Sequence, residues 1–314
     1  PYSTCMAMDV QASLDVGGNV IAWSQESYGD TFMMRPRNSP PGEGARRLLP
    51  LRYIKDAAED PVPQPAMRYH VGIHRNLEPL YNFPKPRLVK NLVRKLPLRT
   101  SALRTLGGFA NVYAIECFLD ELAEAANVDP VEFRLRHLED MRAKACLKAA
   151  ADKLFKGNKP ANRGRGIGFA QYTNSKAYSA VGVELEVGDD AVINLHRAVL
   201  SIDAGQVVDP DGLSMQCEGG FIQAASWALY EEVKFDRDGV TSRDWDSYPI
   251  LRFDNIPDIE TILIDRPGDP YLGAGEAVSG PAGAAIANAV YDAIGLRLRR
   301  MPFTPDTIRA AATR

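Results

Sequence analysis

The chain has 314 residues, of which 45% are hydrophobic and 25% charged, enough for two packed lobes and inconsistent with a disordered polyelectrolyte. Lys+Arg 37 against Asp+Glu 40 leaves a formal net charge of −3, which excludes a sequence-wide basic field and with it nucleic acid as the primary partner. Cys5, Cys117, Cys146 and Cys217 show no C-x-x-C spacing, so no local zinc or iron–sulfur motif is readable and they are expected to be buried or free thiols.

Near the start, Met8, Val10, Ala12 and Leu14 alternate with polar residues, Gly17-Gly18-Asn19 supplies a turn, and Val20 to Trp23 forms a second run. This pattern predicts a β-hairpin. From Arg35 to about Pro65 the chain is rich in Pro, Gly and Arg and reads as a long surface excursion. His70 and His74 are four apart, a spacing that suits a metal only on a helix; Gly72 and the prolines nearby argue against one, so no metal ligand is assigned.

A loop carrying Arg99 and Arg104 is expected up to Gly108, then an amphipathic helix from about Asn111 through Val112, Ile115, Leu119 and Leu122. Asp129 and Pro130 read as the N-cap and first residue of a second helix, and Arg142 to Leu154 as a third. The basic, glycine-rich stretch Gly157 to Gly166 is the expected linker, dividing an α+β chain into lobes at 1–158 and 159–314. Its Gly164-x-Gly166-x-Gly168 lacks the spacing of a dinucleotide fingerprint.

Beyond it, Ser179 to Val187 and Val192 to Ile202 form a second predicted hairpin around Gly188-Asp-Asp190. Asp203-Ala-Gly205 and Asp209-Pro-Asp-Gly212 read as turns before a helix from about Leu213 to Tyr230 that carries Gln216, Glu218 and Gln223. Further strands are expected at 232–235, 249–253 and 259–264. No fixed-period repeat is present, nor an apolar run of about 18 residues, nor a charged-then-apolar leader. The expectation is a cytoplasmic or periplasmic chain, and its opening on Pro1 is read as a processed or trimmed piece of a longer product.

The most distinctive stretch runs from Leu272 to Gly295. Glu276 lies in a glycine-rich turn, with Gly273 and Gly275 before it and Gly280-Pro281 after it, so the backbone there can approach a large ligand. A small-residue helix from Ala284 to Ile294 should follow and stop at Gly295. Two roles are open to Glu276 on this stretch alone: a functional carboxylate, or a cap on that helix favoured by its dipole.

Several stretches together resemble the molybdenum-cofactor-binding subunit of the xanthine dehydrogenase and aldehyde oxidase family, in its C-terminal part and its isoquinoline oxidoreductase and nicotinate dehydrogenase branch. They are Leu103-Arg-Thr-Leu-Gly-Gly108 followed by Ala114-Ile-Glu116 and Asp120-Glu-Leu-Ala123, and Asp129-Pro-Val-Glu-Phe-Arg-Leu135. To these are added Val207-Val-Asp-Pro-Asp211, Gln216-Cys-Glu-Gly219, Gly273-Ala-Gly-Glu276 and Ile286-Ala-Asn-Ala289, all in the family's order.

The resemblance implies a mixed α+β fold and a molybdenum held by a pterin, the cytosine dinucleotide form being one option. It also implies hydroxylation of an electron-poor carbon with water, and Glu276 as general base. Arg104 and Leu103 match the loop that lies against the cofactor, and Gln216 and Gly275 match cofactor contacts; the other role for Arg104 is a loop arginine pairing with a nearby acid, and for Gln216 helix packing. Leu106 stands where purine hydroxylases carry a stacking aromatic, which points away from a purine. Phe169 corresponds either to a second pocket aromatic or to a core phenylalanine.

The family's Gly-Gly-Phe-Gly and Gly-Gln-Gly cradle segments do not occur in this sequence. The resemblance therefore implies a divided site, completed by a second molybdopterin-binding polypeptide or a removed N-terminal half. Electrons would leave through a [2Fe-2S] subunit, with a flavin or cytochrome subunit as a further partner; no FAD or iron–sulfur cluster is expected in this chain. An N-heteroaromatic ring is the expected substrate. Aldehyde oxidation and a non-catalytic structural role are the alternatives.

Overall fold

The computed structural model describes residues 2–32, 63–94 and 96–313, and among them three sheets and six α-helices form an α+β fold. The first predicted hairpin is present. β2 (Ala7–Leu14), which follows the two-residue β1 (Tyr2–Ser3), pairs antiparallel with β3 (Val20–Gly29). Asp15 closes the turn by accepting from the backbone N–H groups of Gly17 and Asn19, both at 2.8 Å. β4 (Pro86–Leu92) extends this sheet parallel to β3, and β5 (Thr100–Ser101) pairs with β1. Most of the long excursion expected over 35–65 falls outside the described residues.

Helix α1 (Gly107–Ala125) begins four residues before the predicted start at Asn111. Its two glycines belong to the first turn rather than to a loop. A Cβ on Gly107 would lie 2.4 Å from the carbonyl oxygen of Gly72, because α1 starts against a 3-10 turn at Gly72–His74. α2 (Pro130–His137) has the expected cap, with Asp129 accepting from Val131 and Glu132 at 2.8 and 3.1 Å. α3 (Met141–Leu154) is capped in the same way by Asp140.

The expected linker continues from Arg163 as a strand, β6 (Arg163–Gln171). The reason is tertiary. Gly164, Gly166 and Gly168 line up on one face of β6, and Cβ atoms there would lie 2.0, 2.2 and 2.6 Å from backbone atoms of Ala289, Ala289 and Pro281. The glycines let a buried helix, α5 (Ser279–Ile294), rest directly on the strand backbone.

The second hairpin, β7 (Tyr178–Val187) with β8 (Ile193–Asp203), forms as predicted, and β9 (Asp258–Leu263) adds parallel to β8. Successive residues of β7 face opposite ways. Val181, Val183 and Leu185 pack with α5 and α4 (Pro210–Leu229), while Tyr178 and Ala180 pack with α3. The four-stranded sheet is thus covered on both faces, and both hydrophobic clusters draw residues from either side of position 158.

Three expectations change in this half. The Asp209-Pro-Asp-Gly212 cluster starts α4 instead of forming a turn: Asp209 accepts from Gly212 at 3.1 Å and Pro210 takes the first helical position. No strand forms over 232–235 or 249–253; there is only a single bridge between Phe235 and Val240 and a 3-10 turn at Phe253–Asn255. Phe235 and Phe253 are exposed there, without a sheet edge to pair with. α5 starts five residues before Ala284 and ends as expected at Gly295, whose φ is 70°. α6 (Pro305–Ala312) closes the chain, and no helix among the described residues is long and apolar enough to cross a membrane.

A buried polar knot ties the helices to β6. Glu116 on α1 accepts from Tyr81 Oη at 2.8 Å, Arg134 Nε at 2.8 Å and the backbone N–H of Phe169 at 3.0 Å. Arg134, fully buried, also pairs with Asp120 at 2.6 Å. Burial pushes the Glu116 carboxyl upward, and the two hydrogen-bonded partners Arg134 and Tyr81 oppose it.

Candidate active site

The turn carrying Glu276 is anchored at its base by two backbone bonds, Leu272 N–H to Ala204 O at 2.7 Å and Ala177 N–H to Gly273 O at 3.1 Å. Glu276 leaves this turn toward the loop before α1. Its Oε1 accepts from the backbone N–H of Thr105 at 2.7 Å, and its Oε2 accepts from the Tyr172 hydroxyl at 2.6 Å. The side chain is 33% exposed, with Arg75 NH1 3.8 Å from Oε2. The N-terminus of α5 has no side-chain cap. Helix capping, the other role open to Glu276, is therefore not what the carboxylate does.

Arg104 crosses between the two loops. Its Nε donates to Gly275 O at 2.8 Å, and NH2 donates to the same oxygen and to Gln216 Oε1 at 3.1 Å. NH1 donates to Gln223 Oε1 at 3.2 Å. All these acceptors are neutral, so the arginine's charge is oriented without being cancelled. The structure brings Arg104, Gln216, Gly275 and Glu276 together. Leu103 is exposed and Leu106 half-buried in the loop beside them.

Phe169 does not join this group. Its ring is 1% exposed in the core, edge-on to Tyr81 at 6.4 Å between centroids. Of its two readings the structure supports core packing, because β6 is pressed between α5 and the helices of the first half.

Four contributors are not assigned from the sequence: Gln223, the Thr105 backbone N–H, Arg75 and Tyr172. The seven-residue spacing of Gln216 and Gln223 is a usable signal, since it puts both amides on one helix face. The other three depend on backbone conformations that residue identity does not announce. Thr105 and Leu106 have φ of 72° and 51°, and Thr173 and Asn174, next to Tyr172, have 52° and 47°. Burial and the adjacent Glu276 carboxylate push the Tyr172 phenol well above its ordinary range, so it stays a donor.

His70 and His74 lie on either side of Gly72, whose φ is 58°, and not on one α-helix. The Nδ1 of His70 accepts from the backbone N–H of Asn76 at 3.1 Å, and burial lowers its pKa from 6.5 to about 4.

Residues 100–257 match a molybdopterin cofactor-binding domain family, and residues 61–138 match a second family of the same description. The chain belongs to the molybdopterin-binding family of the xanthine dehydrogenase type. It is 35% identical over 332 aligned residues to a nicotinate dehydrogenase subunit of Pseudomonas putida, covering 99% of this chain and 26% of that one. It is 30% identical over 207 residues to the beta subunit of isoquinoline 1-oxidoreductase of Brevundimonas diminuta, covering 65% and 26%. The fold superimposes on aldehyde oxidoreductase from Desulfovibrio gigas with a TM-score of 0.70 at 15% identity, over 99% of this chain and 49% of that one. The chain thus spans about a quarter of the length of these two curated relatives.

The residues present fit a molybdopterin group. Arg104 offers a positive charge held, among the described residues, by neutral oxygens, and Gln216 is exposed beside it. Nothing lies within 4 Å of a Cβ built on Gly219, and only Gln216 Oε1, at 3.8 Å, near one built on Gly275. A cation, amides and open backbone make a surface for an anionic, hydrogen-bond-rich ligand.

Proposed function

We propose that this chain supplies the base and part of the cofactor cradle of a molybdenum hydroxylase acting on an N-heteroaromatic ring such as a nicotinate-like acid. The observation that carries the reading is the meeting of the Glu276 turn with the Arg104 loop. A carboxylate one-third exposed follows directly on Gly275, whose carbonyl takes the Arg104 guanidinium, and among the described residues the arginine's acceptors are neutral oxygens.

Bound molybdopterin would supply a two-electron acceptor beside the carbon to be hydroxylated. The balance is one substrate C–H and one water giving C–OH, two electrons and two protons. Arg104, Gln216 and the Gly275 segment would hold the cofactor, and Glu276 would take a proton of the incoming water. Each Glu276 oxygen has one protein donor, so each keeps a lone pair for that proton. A second molybdopterin-binding polypeptide or a preceding half would complete the cradle, and a [2Fe-2S] subunit, with a flavin or cytochrome beyond it, would accept the electrons.

Glu276→Gln in the assembled complex should lower turnover by about 10²–10⁴-fold with molybdenum content unchanged. Normal turnover with a full molybdenum complement would overturn the base assignment. The divided site fails if the chain purified alone holds stoichiometric molybdopterin. Aldehyde oxidation at the same site is the second reading, and Leu106, which stands against a purine, does not decide between an N-heteroaromatic ring and an aldehyde. Turnover of nicotinate, purines and aldehydes with a dye acceptor separates the substrates.

A further inference from the structure

The group that orients Glu276 is a relay. Arginine has donors and no acceptor, so Arg75 NH1, which contacts the Tyr172 hydroxyl, can only donate to it. The phenolic proton then has one partner, Oε2 of Glu276 at 2.6 Å. The direction Arg75 to Tyr172 to Glu276 follows from chemistry, and each donor polarises the next. The Arg75 guanidinium carbon also lies 5.3 Å from the Tyr172 ring centroid, so a single rotamer serves both contacts.

The backbone around this relay is unusually constrained. Asn111 on α1 donates to Ile73 O at 2.7 Å and to Arg75 O at 2.9 Å, and Arg75 Nε donates to His70 O at 3.2 Å. Asn76 donates to Gln171 O at 2.8 Å and accepts from the Thr173 N–H at 3.0 Å, locking the Arg75 segment to the Tyr172 segment. Ten non-glycine residues among those described have positive φ. Six of them, His70, Asn76, Thr105, Leu106, Thr173 and Asn174, lie in the three loops that converge on Glu276. Positive-φ backbone at non-glycine residues persists only where the surroundings over-determine it.

We propose that Arg75 and Tyr172 are positioning residues for Glu276, holding its carboxylate in one rotamer with a free lone pair facing the open side of the site. This rests on the base reading above. Tyr172 and Arg75 act through Glu276 and touch no reacting atom.

The test uses the intact complex carrying Tyr172→Phe, Arg75→Met or Arg75→Lys. One readout is independent of turnover: the rate at which a water-soluble carbodiimide labels Glu276, read by peptide mass spectrometry against the exposed carboxylate of Asp306. Tyr172→Phe and Arg75→Met should raise Glu276 labelling several-fold at unchanged molybdenum content, and lower kcat about tenfold with KM within about twofold. Arg75→Lys, which keeps a cationic donor, should restore much of both, and it decides the matter should Tyr172→Phe fail to fold. Unchanged labelling at Glu276 together with unchanged kcat overturns the relay. A kcat that falls only in proportion to lost molybdenum also overturns it. If Glu276→Gln keeps full turnover, the base reading fails instead, and the labelling rates still decide whether the relay holds the carboxylate.

Discussion

The molecule contains the same trio of side chains twice, and the two copies do opposite things. Glu116, Arg134 and Tyr81 are sealed in the core, where both glutamate oxygens are taken up by a guanidinium, a phenol and a backbone N–H. Glu276, Arg75 and Tyr172 sit at an opening: the arginine stands back at 3.8 Å, the phenol lies between, and the glutamate is one-third exposed. Glu116 is satisfied and bound to a charge it cannot leave, so it can only hold α1, α2 and β6 together. Glu276 is oriented but not saturated, and that is the condition for accepting a proton. Identical residue types become a sealed rivet or an oriented, partly exposed carboxylate according to burial and lone pairs.

The sharpest way to break this comparison is to make the same substitution in both. Glu276→Gln should remove about 10²–10⁴-fold of turnover while shifting stability by no more than about 0.5 kcal/mol. Glu116→Gln should do the reverse. It leaves Arg134 with Asp120 as its one carboxylate, costs about 3–5 kcal/mol in thermal or urea unfolding, and lowers activity only through lost protein. A Glu116→Gln protein with unchanged melting would show that the knot is not a rivet.

Next in size is the packing that supports the Glu276 turn from below. Gly166→Ala would drive a methyl to within 2.2 Å of the Ala289 nitrogen, lifting α5 off β6, at a cost of about 1–3 kcal/mol or more. A variant as stable as the parent in urea unfolding would mean that α5 is not seated on that strand.

The last effect, present only at acid pH, concerns the loop that carries Arg75. Burial holds the His70 pKa at about 4 in the fold against 6.5 in the unfolded chain. Above pH 6.5 both states are neutral and nothing is lost. Below it the unfolded chain takes the proton first, so stability falls from pH 6.5 to about 4 and then levels, by on the order of 1–3 kcal/mol. The protection factor of the Asn76 amide, which donates to His70, should fall over that window when its exchange is referred to the intrinsic rate at each pH. A His70→Asn variant should lose the pH dependence.

Much of the scaffold is legible in the order of residues alone. Alternation and a Gly-Gly-Asn turn mark the first hairpin, and Asp129-Pro130 marks the start of α2. Gly295 marks the end of α5, because these signals are carried by residues adjacent in sequence. The glycines of β6 read instead as a linker, since their purpose is to meet a helix more than a hundred residues away. The short stretches at 232–235 and 249–253 resemble strands because a few residues carry no information about whether a partner edge exists.

The site divides along the same line. The sequence by itself determined that an acid stands in a glycine turn, that Arg104 and Gln216 accompany it, and that the chain is a molybdopterin-binding one. Only the tertiary structure decided that Glu276 leaves α5 uncapped, that Arg104 is met by neutral oxygens, and that Phe169 is core. It also decided that Arg75 and Tyr172 stand behind the acid. Motif residues are recognised by their immediate neighbours, whereas a relay between Arg75, Tyr172 and Glu276 spans 201 positions and exists only where strained loops meet.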